Sequence, residues 1–113
     1  MKILINECLP CKLKNEFPNH EVKTVPEAGW SGKKNGTLLR LMAGVFEVFI
    51  TIDSNLEDPQ QLAQQPVAFM ILSAINNKLE TLLPLIPDVL VALETIQPGQ
   101  VVKITDRFED EQQ

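Results

Sequence analysis

Short apolar runs, separated by stretches with helical patterning, constrain this chain more than any other feature. The first run, Lys2-Ile3-Leu4-Ile5, reads as a strand buried on both faces, which suits a central place in a parallel sheet. A helix is predicted over 9–17, with Pro10 in its first turn, where proline is tolerated; Pro18-Asn19 ends it. Residues 21–25 alternate and predict a second strand nearer an edge. A loop rich in Gly, Ser and Lys follows over 26–36. Asn35 is the expected N-cap of a helix over 36–42, and Gly44 closes that helix. The third strand is predicted over 48–52, with Asp53 just past its end. The segment 55–65 is polar and Gln-rich, with room for one or two helical turns. Pro66 leads into a fourth strand over 67–72. Helices are predicted over 78–83 and 88–95, split by Pro84 and Pro87. Pro98-Gly99 is a turn, and 101–104 a last strand at the edge.

Strands alternating with helices indicate an α/β sheet in three layers, mostly parallel and of four to five strands. Right-handed crossovers place helices on both faces. A central first strand gives the order 2-1-3-4, with the last strand at the edge in an orientation the sequence does not fix. That order reverses direction between strands 1 and 3, and in open α/β sheets the ligand crevice forms at the C-terminal ends of the strands, at the reversal. The residues leaving those two strands are Asn6-Glu7 and Asp53-Ser54-Asn55.

With 113 residues, a single domain over 1–105 is expected, followed by an acidic tail over 106–113. No apolar stretch is long enough to cross a bilayer, and the first residues lack the pattern of a secretion signal. A cytoplasmic location without membrane contact is therefore expected. The net charge of -5 is uneven. Residues 1–45 hold seven Lys/Arg against four Asp/Glu, whereas residues 46–113 hold three against eleven. Overall acidity argues against indiscriminate nucleic-acid binding. It leaves room for a local basic groove made by Lys12, Lys14, Lys33, Lys34 and Arg40.

Carboxylates that converge at one point repel each other and are stabilised by a cation between them. Oxygen ligands alone favour a hard ion such as Mg²⁺ or Mn²⁺. Glu7 and Asp53 are the acids placed for this, and Asn6 and Asn55 add amide oxygens. Such an ion suits phosphodiester hydrolysis. The competing reading is that Asp53 and Asn55 cap the following turn.

Three segments carry a resemblance. They are Lys2-Ile3-Leu4-Ile5-Asn6-Glu7-Cys8-Leu9-Pro10, Glu27-Ala28-Gly29-Trp30-Ser31-Gly32-Lys33-Lys34-Asn35-Gly36, and Phe49-Ile50-Thr51-Ile52-Asp53-Ser54-Asn55-Leu56. Together they resemble the small PIN-like family, which reads Asp-Glu-x-Leu-Pro after the first strand and Thr-x-Asp-x-x-Phe or Leu after the third. The likeness runs from Met1 to about Ile104. It implies a PIN-like fold and a metal-dependent endoribonuclease using Mg²⁺ or Mn²⁺. It further implies the toxin of a toxin–antitoxin pair, held by a small antitoxin-like protein, with Glu7 and Asp53 as catalytic acids. The sequence departs from the pattern at Asn6, where relatives carry aspartate, and at Asn35, where many carry a second acid. An amide offers an oxygen to a cation but no charge, so cation binding weakens. Glu57 and Asp58 are the nearest replacement acids. The alternative that follows is a catalytically weakened PIN-like module that binds RNA or protein.

Trp30, Lys33, Lys34, Asn35 and Lys12 are the candidate substrate-binding residues. An aromatic beside cations suits a splayed RNA base with its phosphates, although a large aromatic also packs a loop onto a sheet. Cys8-Leu9-Pro10-Cys11 raises thiol chemistry as a third reading, without the rest of a thioredoxin pattern. His20 is a turn residue, and one histidine with two cysteines is too few for a tetrahedral zinc site. Ser31, Ser54 and Ser73 have no partner base in the sequence. The apolar residues Leu79 to Leu93 cover the sheet, with a surplus for a homodimer or antitoxin contact.

Overall fold

The computed structural model describes residues 1–52 and 64–105, with Asn35 described by its backbone only. Five strands form one sheet: β1 (Lys2–Ile5), β2 (Glu21–Thr24), β3 (Val48–Thr51), β4 (Ala68–Ser73) and β5 (Val101–Thr105). Their order is β2-β1-β3-β4-β5, and every neighbouring pair is parallel. The last strand therefore lies at the edge, running with β4. The switch in strand direction falls between β1 and β3, as the apolar patterning predicts.

Cross-strand partners share a face of the sheet, so the register divides the strands into two sides. Ile3, Ile5, Val48, Ile50, Met70 and Leu72 point to one side and belong to a single buried cluster. The helices over that side are a 3₁₀ helix (Cys11–Glu16) and the pair α2 (Leu79–Leu82) and α3 (Ile86–Leu93), the pair being joined by a 3₁₀ turn at Leu83–Leu85. Leu4, Phe49 and Phe69 point to the other side, under Leu38, Leu39 and Met42 of α1 (Asn35–Met42). The result is three layers with the sheet in the middle. Phe49 and Phe69 are both fully buried, and each contributes roughly 1.5–3 kcal/mol relative to exposure.

Several local expectations are corrected. The segment after β1 winds as a six-residue 3₁₀ helix, with Pro10 outside it in extended conformation. Two prolines, Pro10 and Pro18, bracket it and leave no room for a longer helix. Lys34, and not Asn35, is the N-cap of α1, and it makes no side-chain capping bond. Strand β3 ends at Thr51. Pro84 and Pro87 do not split the C-terminal helices apart. Each stands in the first turn of the segment it begins, where its missing N–H is no loss, so helical turns run on from Leu79 to Leu93. The expected Gly44 stop is present. Ala43 (φ -58°, ψ 124°) and Gly44 (φ 81°) form a type II turn closed by the Val45 N–H on the Met42 carbonyl at 2.9 Å. The apolar C-terminal helices cover the sheet through Leu82, Leu85, Ile86, Val89 and Leu93. Leu83 and Val91 remain exposed.

The crossovers depart from uniform right-handedness. The β1-to-β2 and β4-to-β5 connections step in opposite directions across the sheet, yet their helices lie on the same face. They therefore have opposite hands. Burial accounts for the choice. On β4 and β5 the face under α2 and α3 offers Met70, Leu72, Val102 and Ile104, whereas the reverse face carries exposed Val101 and Lys103. Among the described residues no helix is long and apolar enough to cross a membrane.

Candidate functional site at the strand 1–strand 3 switch point

Strand β1 delivers Asn6 to the end of β3. The Asn6 N–H donates to the Ile50 carbonyl at 2.9 Å, extending the ladder by one bond. The buried Asn6 side chain then joins the two strand tips: Nδ2 donates to Thr51 Oγ1 at 2.9 Å, while Oδ1 accepts the Glu7 N–H at 2.8 Å. The Asn6 carbonyl also accepts the Leu9 N–H at 3.0 Å, which turns the chain out of the sheet toward the 3₁₀ helix. Cys8 Sγ lies 3.7 Å from the Thr51 hydroxyl, and its carbonyl accepts from Asn77 Nδ2 at 2.8 Å. Asn6 is thus a brace between β1 and β3 as well as an oxygen donor.

The turn projects Glu7 outward. Its exposed carboxylate accepts the Gly32 N–H through both oxygens, at 3.1 and 3.4 Å. Gly32 is in the left-handed region, φ 78°, where glycine carries no Cβ penalty. This contact ties the loop between β2 and α1 to the switch point, with Lys33 and Lys34 next in the chain. Both lysines are exposed, as are Lys12 and Arg40. Trp30, in the same loop, is half-buried and meets Phe46 edge-to-face, with centroids 5.8 Å apart. Its indole anchors the loop on the α1 side of the core.

Lys14 is not a free member of a basic groove, because it pairs with Glu27. That hydrogen bond, with a second from the Thr24 N–H at 3.0 Å, lowers the Glu27 pKa from 4.5 to about 2. A depressed carboxylate stabilises the fold above its unfolded pKa, and that gain is lost as pH falls from 4.5 toward 2. The pair is exposed to solvent, so the gain is small. In Lys14→Ala the Glu27 titration midpoint should rise toward the ordinary carboxylate range, as read by NMR. An unchanged midpoint would assign the shift to the Thr24 N–H alone.

The sequence-predicted residues divide into those the structure places and those beyond its described part. Asn6 and Glu7 stand at the switch point, and Lys33 and Lys34 adjoin them through Gly32. Lys12 lies on the 3₁₀ helix and lines a separate cavity with Cys11, Thr24 and Glu27. Asp53, Asn55, Glu57, Asp58 and the 106–113 tail lie outside the described residues, as does the Asn35 side chain. Among the described residues no three His, Cys, Asp or Glu side chains converge. Cys8 and Cys11 are both free thiols. Thr51, Gly32 and Asn77 contribute to the site without having been singled out in the sequence. Thr51 was visible in the Thr-x-Asp segment, whereas Gly32 and Asn77 act through contacts 25 and 69 residues away in the chain.

The described side-chain donors at the switch point are oxygens, the ligand type that hard divalent cations take. They are one exposed carboxylate, Glu7, and one amide oxygen, Asn6 Oδ1, which keeps a lone pair beyond its bond to the Glu7 N–H. Compared with models of known protein families, with curated proteins and with solved structures, the chain finds no match in any of the three.

Proposed function

We propose that this chain is a metal-dependent endoribonuclease of PIN-like type, using Mg²⁺ or Mn²⁺, and the toxin partner of a small antitoxin-like protein. One observation carries the reading. The parallel order β2-β1-β3-β4-β5 sets Asn6 and Glu7 at the switch point, beside the end of the strand that leads in two residues to Asp53. Glu7, Asp53, Asn6 and Asn55 would hold the ion, which when bound offsets charge on the scissile phosphate. The chain's own part is to present the Glu7 carboxylate in a fixed direction through Gly32 and to hold Lys33 and Lys34 where RNA phosphates approach. The protein works in the cytoplasm on this reading, where RNA and the partner are met.

The Asn6 geometry favours a second reading, a PIN-like module that binds RNA or protein with weakened catalysis. Its amide bridges the strand tips in a role that needs no charge. The separating experiment incubates pure, partner-free protein with single-stranded RNA and Mn²⁺, with and without EDTA. The nuclease reading expects cleavage that EDTA stops. RNA retention without cleavage would establish the binding module in its place.

A further inference from the structure

Lys103 stands at the same end of the sheet as the β1–β3 switch point, although nothing in the sequence pattern draws attention to it. Thr51 of β3 is the cross-strand partner of Ile71 of β4, and Ile71 is the partner of Lys103 of β5. The three therefore form one row on one face of the sheet. With strands about 4.8 Å apart, the Lys103 Cα lies about 10 Å from that of Thr51. A cavity of about 140 Å³ opens there, lined by Ile52, Ile71, Ser73, Ala74 and Lys103 among others. Ile52 is the residue by which the chain leaves β3. Lys103 is exposed, and no carboxylate among the described residues pairs with it.

The face matters as much as the distance. Thr51, Ile71 and Lys103 share the side of the sheet that carries α1. Lys33 and Lys34 precede α1 at the same, C-terminal, end of the strands. Cations thus flank the β1–β3 switch point on both sides, on one face and at one end of the sheet. Toward the start of the strands Lys2 shares a cavity with Glu21 as well as with Lys23, so charge there is mixed. Two separated cationic positions with the strand ends between them suit an extended polyanion, whose successive phosphates need spaced contacts.

We propose that Lys103, with the Ser73 hydroxyl in the same cavity, holds a backbone phosphate of single-stranded RNA that crosses the strand ends from Lys33–Lys34 to β5. The assignment rests on the RNA reading of the crevice and extends it to a path with two ends. Its test is binding of a short labelled single-stranded RNA of mixed sequence, followed by anisotropy across a salt series. Lys103→Ala should weaken binding about 3- to 10-fold and reduce the slope of log K against log salt by about 0.7, the value for one lost phosphate contact on a single strand. Lys103→Arg should restore both. Lys2→Ala, an exposed lysine at the far end of the sheet, should change neither beyond a small nonspecific loss. An unaltered slope in Lys103→Ala, with binding still lowered by Lys33→Ala and Lys34→Ala, overturns the Lys103 assignment and leaves the RNA reading standing. No RNA binding by the unsubstituted protein removes both.

Discussion

Asp53→Asn is expected to lower Mn²⁺-dependent RNA cleavage by at least roughly 100-fold while leaving stability within about 0.5 kcal/mol of the parent. Loss of an outer partner of a metal site already costs 10- to 100-fold, so loss of a charged ligand should meet or exceed that range. The effect is sharpened by what stands opposite. Asn6 is neutral, so the negative charge of the proposed site rests on Glu7 and Asp53. Removing one leaves a single carboxylate, and that one is already hydrogen-bonded to Gly32. Asparagine is the informative replacement. It caps a turn as well as aspartate does, so a capping role for Asp53 survives the change and a charge-dependent role does not. Cleavage rate and thermal midpoint, measured together, separate the two. Parental cleavage by Asp53→Asn would take the chemistry away from this crevice. A lowered midpoint with a proportionate loss of activity would reduce Asp53 to a structural cap.

The parts of the fold that were legible in the sequence follow from burial. Ile3-Leu4-Ile5 is apolar on both faces because both faces are covered, and this places β1 centrally and sets the switch point beside it. Turns were legible where one residue type is needed, as at Gly44 and at Gly99, φ 82°, where the Gln100 N–H closes on the Gln97 carbonyl. What local pattern did not convey is set by competition between elements. Pro84 and Pro87 read as breakers, yet each begins a segment, a distinction fixed by where the apolar residues around them must point. The hand of the last crossover depends on which face of β4 and β5 is apolar, and hence on register across five strands. At the site, the sequence named Asn6 and Glu7 as oxygen donors. It could not show that Asn6 spans to Thr51 or that Glu7 reaches Gly32, since both are contacts over long stretches of chain.

Asn6→Asp is expected to destabilise the cation-free protein by about 1–3 kcal/mol and to gain more from Mn²⁺ than the parent does. Asn6 is buried, and its two side-chain atoms have different partners. Oδ1 accepts from the Glu7 N–H, and aspartate keeps that bond. Nδ2 donates to Thr51 Oγ1 at 2.9 Å, and aspartate puts an oxygen there, so the Thr51 hydroxyl must turn its proton inward. A carboxylate in this position is desolvated and lies next in the chain to Glu7, and both effects disfavour its charged form. Its pKa in the folded state should therefore lie above the unfolded value of about 3.9. The sign follows: the destabilisation is absent below the unfolded pKa of about 3.9, grows as pH rises from there to the folded value, and is constant above it. A cation bound at the crevice offsets the new charge. A ligand at 100 times its Kd adds about 2.7 kcal/mol of stability, which is enough to reverse the loss. Thermal midpoints with and without Mn²⁺ at neutral pH provide the measurement, at about 4 °C per kcal/mol for a domain of this size. The substituted protein should melt lower alone and rise further with Mn²⁺. Equal increments for the two proteins would mean that no cation meets position 6, and the crevice would then be a binding surface braced by a neutral amide.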